Sequence, residues 1–243
     1  MKGVDISHYQ KGLTIRQIRE AGKDFAIIKV TEGTWLKDAA AFDFYREAYE
    51  LGFPVGCYCY SHALTGEEAQ REARFLLDTI KGSPMPCGVF LDIETPEQRA
   101  LSSEQLMAVA EGWCGTICKA GYVPGVYGSE GNLWSKLSLD SLPDDCLVWV
   151  AHYGRQPVIP CDLWQSSDSG SIGGVSVDTD ETRSDRFRMI VEKGFVLSQT
   201  AAAGSAEKTP DISGAMALLA GYLQTEAFQK GFLAYIQKTE ESE

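Results

Sequence analysis

Hydrophobic and polar positions along the chain follow two rhythms that alternate over most of its length. Short apolar runs mark eight strands: Gly3-Val4, Phe25 to Val30, Pro54 to Tyr60, Gly88 to Ile93, Val123 to Tyr127, Leu147 to Ala151, Leu163 to Gln165 and Val175 to Val177. Between them the apolar spacing lengthens to a helical period. Thr65-Gly66-Glu67-Glu68 forms a capping-box pattern, followed by Ala69, Ala73, Leu76, Leu77 and Ile80 on one face and Gly82 as the stop. Ser102 to Gln105 repeats it, with Leu106, Val109, Ala110, Trp113 and Ile117 on one face, ending at Gly121. Asp38 is expected to open a third helix with Phe42, Tyr45 and Tyr49 inward and Gly52 as its stop. Weaker helical patterns cover Thr14 to Ala21 and Glu130 to Leu137.

After the sixth strand only short polar loops separate the remaining ones. Five strand–helix units followed by three strands predict an α/β fold, an irregular eight-stranded TIM-like barrel. The catalytic-size domain is expected over residues 1–196. Residues 197–209, rich in Ala, Ser and Gly, read as a linker. Residues 210–243 carry an apolar stripe, Ile212, Met216, Leu219, Tyr222, Leu223, Phe228, Phe232, Leu233 and Ile236. That stripe predicts a small helical module, with self-association favoured as its role.

Composition narrows the function. The 243 residues are 44% hydrophobic and 23% charged, ordinary for a globular chain, but the net charge is −12. Nucleic acid is disfavoured as a partner, because phosphate contacts need a basic surface. No apolar run reaches a spanning length, and an acidic chain is poorly suited to anionic membranes. The start, MKGVDISHYQ, lacks the basic-then-apolar pattern of a secretory signal, so seven cysteines are expected to be reduced packing residues.

In barrels of this kind function gathers where strands end. Those ends carry Asp5, Lys29 with Glu32, Tyr58 to His62, Asp92 with Glu94, Tyr127, His152 with Tyr153, Gln165 and Asp178. The run Gly88-Val89-Phe90-Leu91-Asp92-Ile93-Glu94 is the most pointed case. Residues two apart share a strand face, so Phe90, Asp92 and Glu94 point one way and Val89, Leu91 and Ile93 the other. Two acids aimed into one interior space suit glycosidic cleavage, one acid protonated and another stabilising positive charge. Tyr58, Tyr127, Trp149 and Tyr153 suit contacts with sugar rings. A plainer reading also stands, in which Asp92 and Glu94 close the strand and pair with Lys29. A metal site using His8, His62 or His152 lacks ligand spacing. No phosphate loop, nucleophile elbow or cofactor motif is found, so no cofactor or metal is expected.

Val4-Asp5-Ile6-Ser7-His8-Tyr9-Gln10, Phe25 to Lys29 with Glu32-Gly33-Thr34, Gly56-Cys57-Tyr58, Phe90-Leu91-Asp92-Ile93-Glu94, Gly125-Val126-Tyr127, and Leu163-Trp164-Gln165 with Val177-Asp178 occur in that order. Over about residues 2 to 195 the chain resembles glycoside hydrolase family 25, the lysozymes of phage endolysins and of bacteria and fungi. The resemblance implies hydrolysis of the β-1,4 bond between N-acetylmuramic acid and N-acetylglucosamine in peptidoglycan. It assigns Glu94 as proton donor, with Asp92, Asp5 and Asp178 as the other catalytic acids. Lys29, Glu32, Tyr58, Tyr127, Trp149, Tyr153 and Gln165 are the expected substrate-binding residues. Two departures stand out: the usual Tyr-His-Phe reads Tyr58-Cys59-Tyr60, with His62 just beyond, and the usual Asn after the last-strand Asp reads Thr179-Asp180. The implied setting is a phage or prophage endolysin made in the bacterial cytoplasm without a signal and acting on the wall after release. Alternatives are a chitinase-like hydrolase, whose longer acidic motif is missing from Met85 to Gly88, and a non-catalytic glycan-binding barrel, against which the intact acids speak.

Overall fold

The computed structural model describes residues 1–203, and the linker and helical module expected beyond them lie outside the described residues. Strands β1 (Lys2–Ile6), β2 (Phe25–Glu32), β4 (Val55–Tyr60), β5 (Val89–Asp92), β6 (Pro124–Ser129), β7 (Leu147–Ala151), β8 (Leu163–Ile172) and β9 (Val175–Thr182) form a closed barrel. A short β3 (Leu36–Lys37) hangs on β2. The first seven barrel strands are parallel, and β1 closes the circle by pairing with both β2 and β9. Among the helices, α1 (Ile15–Glu20), α2 (Ala41–Leu51), α3 (Gly66–Ile80), α4 (Pro96–Arg99) and α5 (Ser103–Lys119) lie between strands, and α6 (Asp185–Ala203) follows the last one.

Alternation along the strands builds two cores. Val4, Ile28, Cys57, Val89, Leu91, Val126 and Val150 point outward, under α1, α2, α3 and α5. Phe25, Ile27, Phe90, Tyr127, Leu147, Trp149 and Leu163 point into the barrel. The opening of α6 supplies Phe187 and Val191 to that inner cluster, with the Phe187 ring 5.3 Å from Phe25. No helix of the described residues is long and apolar enough to cross a membrane.

Four differences from the expected pattern matter. First, β9 runs against its neighbours, because Gly173 and Gly174 (φ 58° and 83°) make a two-residue hairpin turn and both β8 and β9 are longer than their apolar runs. Second, Glu130 to Leu137 forms turns, not a fifth helix. It still buries Leu133, Trp134 and Leu137, so the apolar spacing was real and its backbone form was not. Third, α2 is rotated from expectation: Phe44 and Ala48 are buried, while Phe42 is 71% exposed. Asp38 does not start that helix; its carboxylate accepts from the Ala40 N–H and contacts His8 Nδ1 at 2.7 Å. Fourth, α6 was not foreseen and continues through 197–203, where a linker was expected.

Candidate active site

The inward face of the strands, followed to the mouth, ends in a cleft of about 550 Å³. It is lined by Asp5, Lys29, Glu32, Tyr58, Asp92, Glu94, Tyr127, Trp149, Gln165 and Asp178, all expected from the strand ends. Tyr153 is held at its edge, its hydroxyl donating to Gln165 Oε1 at 2.8 Å. Tyr9, Gln10 and Tyr60 line it as well, and these were given no role from sequence. Tyr9 and Gln10 sit on a one-turn helix after β1, where neither period two nor period 3.6 flags a residue.

Local backbone features place several of these groups. A strict strand would turn Lys29 and Glu32 to opposite faces. A bulge between Lys29 and Thr31 adds one residue against β4, and both side chains meet, Nζ to Oε2 at 2.8 Å. Lys29 also lies 4.9 Å from the Tyr60 ring centre. Glu32 is held on its other oxygen by His62 Nε2 at 3.2 Å. Each of the three histidines thus meets a separate carboxylate: His8 with Asp38, His62 with Glu32, His152 with Glu130. Among the described residues no group of His, Cys, Asp and Glu is arranged to hold a metal.

Gln165 organises the other wall. Its Oε1 accepts from the hydroxyls of Tyr127 and Tyr153, both at 2.8 Å. Those two donors fix the amide so that Nε2 faces the acids, donating to Asp5 Oδ2 at 2.8 Å and Asp178 Oδ2 at 3.3 Å. Trp149 is only 1% exposed and forms the floor, with its ring 4.5 Å from Tyr127 and its Nε1 donating to Asp180 Oδ1 at 2.9 Å. It therefore shapes the cleft from below and is not a platform for a sugar ring. The most exposed aromatic lining the cleft is Tyr9, 78% exposed.

The acids are crowded and poorly neutralised. Burial, then the charge of Asp178, pushes Asp5 up to about 8. Asp178 rises to about 6 through burial and then Asp168 and Glu94. Burial also lifts Glu94 above the usual glutamate range, against the pull of Arg99 and Lys29. Asp92 is raised by burial and then by Glu94 and Asp5, and its Oδ1 is buried without a hydrogen-bond partner. Asp180, noted from sequence only as a departure from the family pattern, is one more acid beneath the mouth, on a strand that runs on past the expected end at Val177. Such a set can keep a carboxyl protonated near neutral pH beside carboxylates that stabilise positive charge.

The family model for glycosyl hydrolases family 25 matches residues 4–175. The autolytic lysozyme of Clostridium acetobutylicum is 30% identical over 183 residues, covering 74% of this chain and 54% of that protein. The chain thus spans about half the length of that relative. The bacterial lysozyme of Streptomyces coelicolor superimposes with a TM-score of 0.66 at 27% identity, covering 78% of this chain and 95% of that one. The catalytic domain of endolysin ply40, from bacteriophage P40 of Listeria monocytogenes, gives 0.65 at 26% identity, covering 79% and 97%.

Proposed function

Because the chain belongs to glycosyl hydrolases family 25, we propose that it is a lysozyme-type peptidoglycan hydrolase. Its bond is the β-1,4 linkage between N-acetylmuramic acid and N-acetylglucosamine. The observation that carries this reading is the Asp92–Glu94 pair at the end of β5. Glu94 is half-buried with a raised proton affinity, and Asp92 sits beside it with a buried oxygen that no protein group meets. Glu94 donates its proton to the leaving oxygen of the glycosidic bond. Asp5 and Asp178, oriented by Gln165, stabilise positive charge at the sugar carbon. The free oxygen of Asp92 accepts from the acetamido N–H of the bound sugar, and Tyr9 contacts a sugar face at the open side.

The names of the similar proteins, an autolytic lysozyme, a bacterial lysozyme and an endolysin, support a place of action at the bacterial wall, and the bacteriophage endolysin supports a phage or prophage source. Self-association through residues 210–243 belongs to the same proposal, and sedimentation of the full chain against one ending at residue 203 tests it. The central test is Glu94→Gln, which is near-isosteric. Turbidity loss of purified walls is expected to slow by roughly 10²- to 10⁴-fold, the usual worth of a general acid. A rate within about threefold of the parent moves the proton donor elsewhere. Wall lysis without release of reducing sugars by the parent refutes the glycosidase reading itself.

A further inference from the structure

Beneath the mouth, Asp180 is 1% exposed and has no solvent contact through the cleft. Its Oδ1 accepts from Trp149, but its Oδ2 is buried and meets no donor. The residue paired with it across β1 is Gly3, which contributes no side chain to meet that oxygen. The carboxyl group within hydrogen-bonding reach is Asp5, itself buried and already accepting from Gln165 at Oδ2. Two ionised carboxylates cannot share such a space, and a buried acceptor facing another acceptor is costly. One proton between them removes both penalties. Asp5 borders the cleft and has the Gln165 amide, whereas Asp180 is sealed under the Trp149 floor. The negative charge is better placed on Asp5 and the proton on Asp180.

We propose that Asp180 is a positioning residue: it stays protonated and donates its O–H to Asp5, holding that carboxylate ionised and turned towards the cleft. The inference rests on the lysozyme reading for its catalytic consequence, though not for the place of the proton. Asp5 then receives two hydrogen bonds, from Gln165 and from Asp180, which fix it where positive charge develops on the sugar. The other titratable groups facing this pair are Asp178 on β9, Lys23 beside Asp180, and Glu94, Asp92, Tyr58 and Tyr127 near Asp5. Of these only Lys23 is cationic, and it favours ionisation of Asp180 too weakly to overturn burial and the charge of Asp5.

The test uses the full chain and the variants Asp180→Asn and Asp180→Leu. Asparagine keeps an acceptor for Trp149 and offers a permanent N–H to Asp5; leucine offers neither. Infrared difference spectra at pH 6, parent against Asp180→Asn, are expected to show loss of one protonated-carboxyl C=O band. In wall lysis, Asp180→Leu is expected to lose on the order of 10- to 100-fold more kcat than Asp180→Asn, the worth of a hydrogen bond to an ionised group. The alkaline limb, set by Glu94, is expected to stay in place in Asp180→Asn, because a protonated Asp180 and an amide are both uncharged, and a displaced limb counts against the proposal. An unchanged infrared spectrum overturns the proposal, as does Asp180→Asn losing as much as Asp180→Leu. Should the leucine variant fail to fold, the infrared band and the asparagine pH profile decide alone. If the parent proves inactive on walls, the function reading falls and the infrared band still decides where the proton sits.

Discussion

Single residues at the mouth set how the molecule responds to pH. As the proposed proton donor Glu94 works only while protonated, and burial raises its proton affinity, so activity is expected to peak on the acidic side and fall as Glu94 ionises. A rate still rising above about pH 8 contradicts that assignment. Stability follows the same groups with a definite sign. Asp178 holds its proton in the folded state up to about 6, and the buried Asp5–Asp180 pair holds its shared proton up to about 8, where the unfolded chain releases both near the ordinary 3.8. The folded protein therefore binds more protons than the unfolded chain between about pH 4 and 8, and stability falls as pH rises across that window. Melting temperatures measured from pH 4 to 8 are expected to decline, and Asp178→Asn to flatten the slope and raise the value near pH 7. A flat profile in the parent places these acids in better-solvated surroundings than the cleft gives them.

At the scale of elements, helix contacts carry the strictest spatial demands. Helices α3 and α5 cross where Gly112 leaves room for backbone, and a methyl there falls 2.3 Å from the Gly66 carbonyl oxygen. Gly112→Ala is expected to destabilise by about 1–3 kcal/mol, as overpacking does, and thermal melting reads it directly. Phe187, fully buried against Phe25 at the base of the barrel, is the matching test for α6. Phe187→Ala is expected to cost about 3–5 kcal/mol; a loss below about 1 kcal/mol detaches α6 from the core. These elements also show what the sequence disclosed. The alternation of Val89, Leu91 and Ile93 against Phe90 and Asp92 announced β5 and its acids, because the two buried faces meet different surroundings, helices outside and the acid cleft inside. The capping patterns at Thr65 and Ser102 placed α3 and α5. The face of α2 was misjudged because large aromatics outweigh a small Ala48, although close approach to the sheet selects the small residue. Glu32 reached the cleft through a bulge, which leaves no periodic mark; Asp180 came to lie beneath it because β9 runs on past the apolar run that announced it.

Across the whole molecule, an acidic cleft belongs to a chain of net charge −12, and bacterial walls carry anionic polymers of their own. Their mutual repulsion reaches ~30 Å at 0.01 M salt and ~8 Å at 0.15 M. Lysis of intact walls is expected to speed up over that range, while hydrolysis of short neutral glycan fragments stays nearly level. A parallel loss of both rates with salt excludes repulsion as the cause. The closing of the barrel has a different consequence. Strand β1, made first, finds one of its two partners in β9, made about last among the strands, with Asp5 directly opposite Asp178. During synthesis the edge of β1 stays open until more than two-thirds of the chain has been made, a contact of long range and slow formation. Asp178, one of the four acids assigned to the site, is missing until then as well. A nascent chain halted before residue 175 is expected to be lytically silent and to bind chaperone through its open edge.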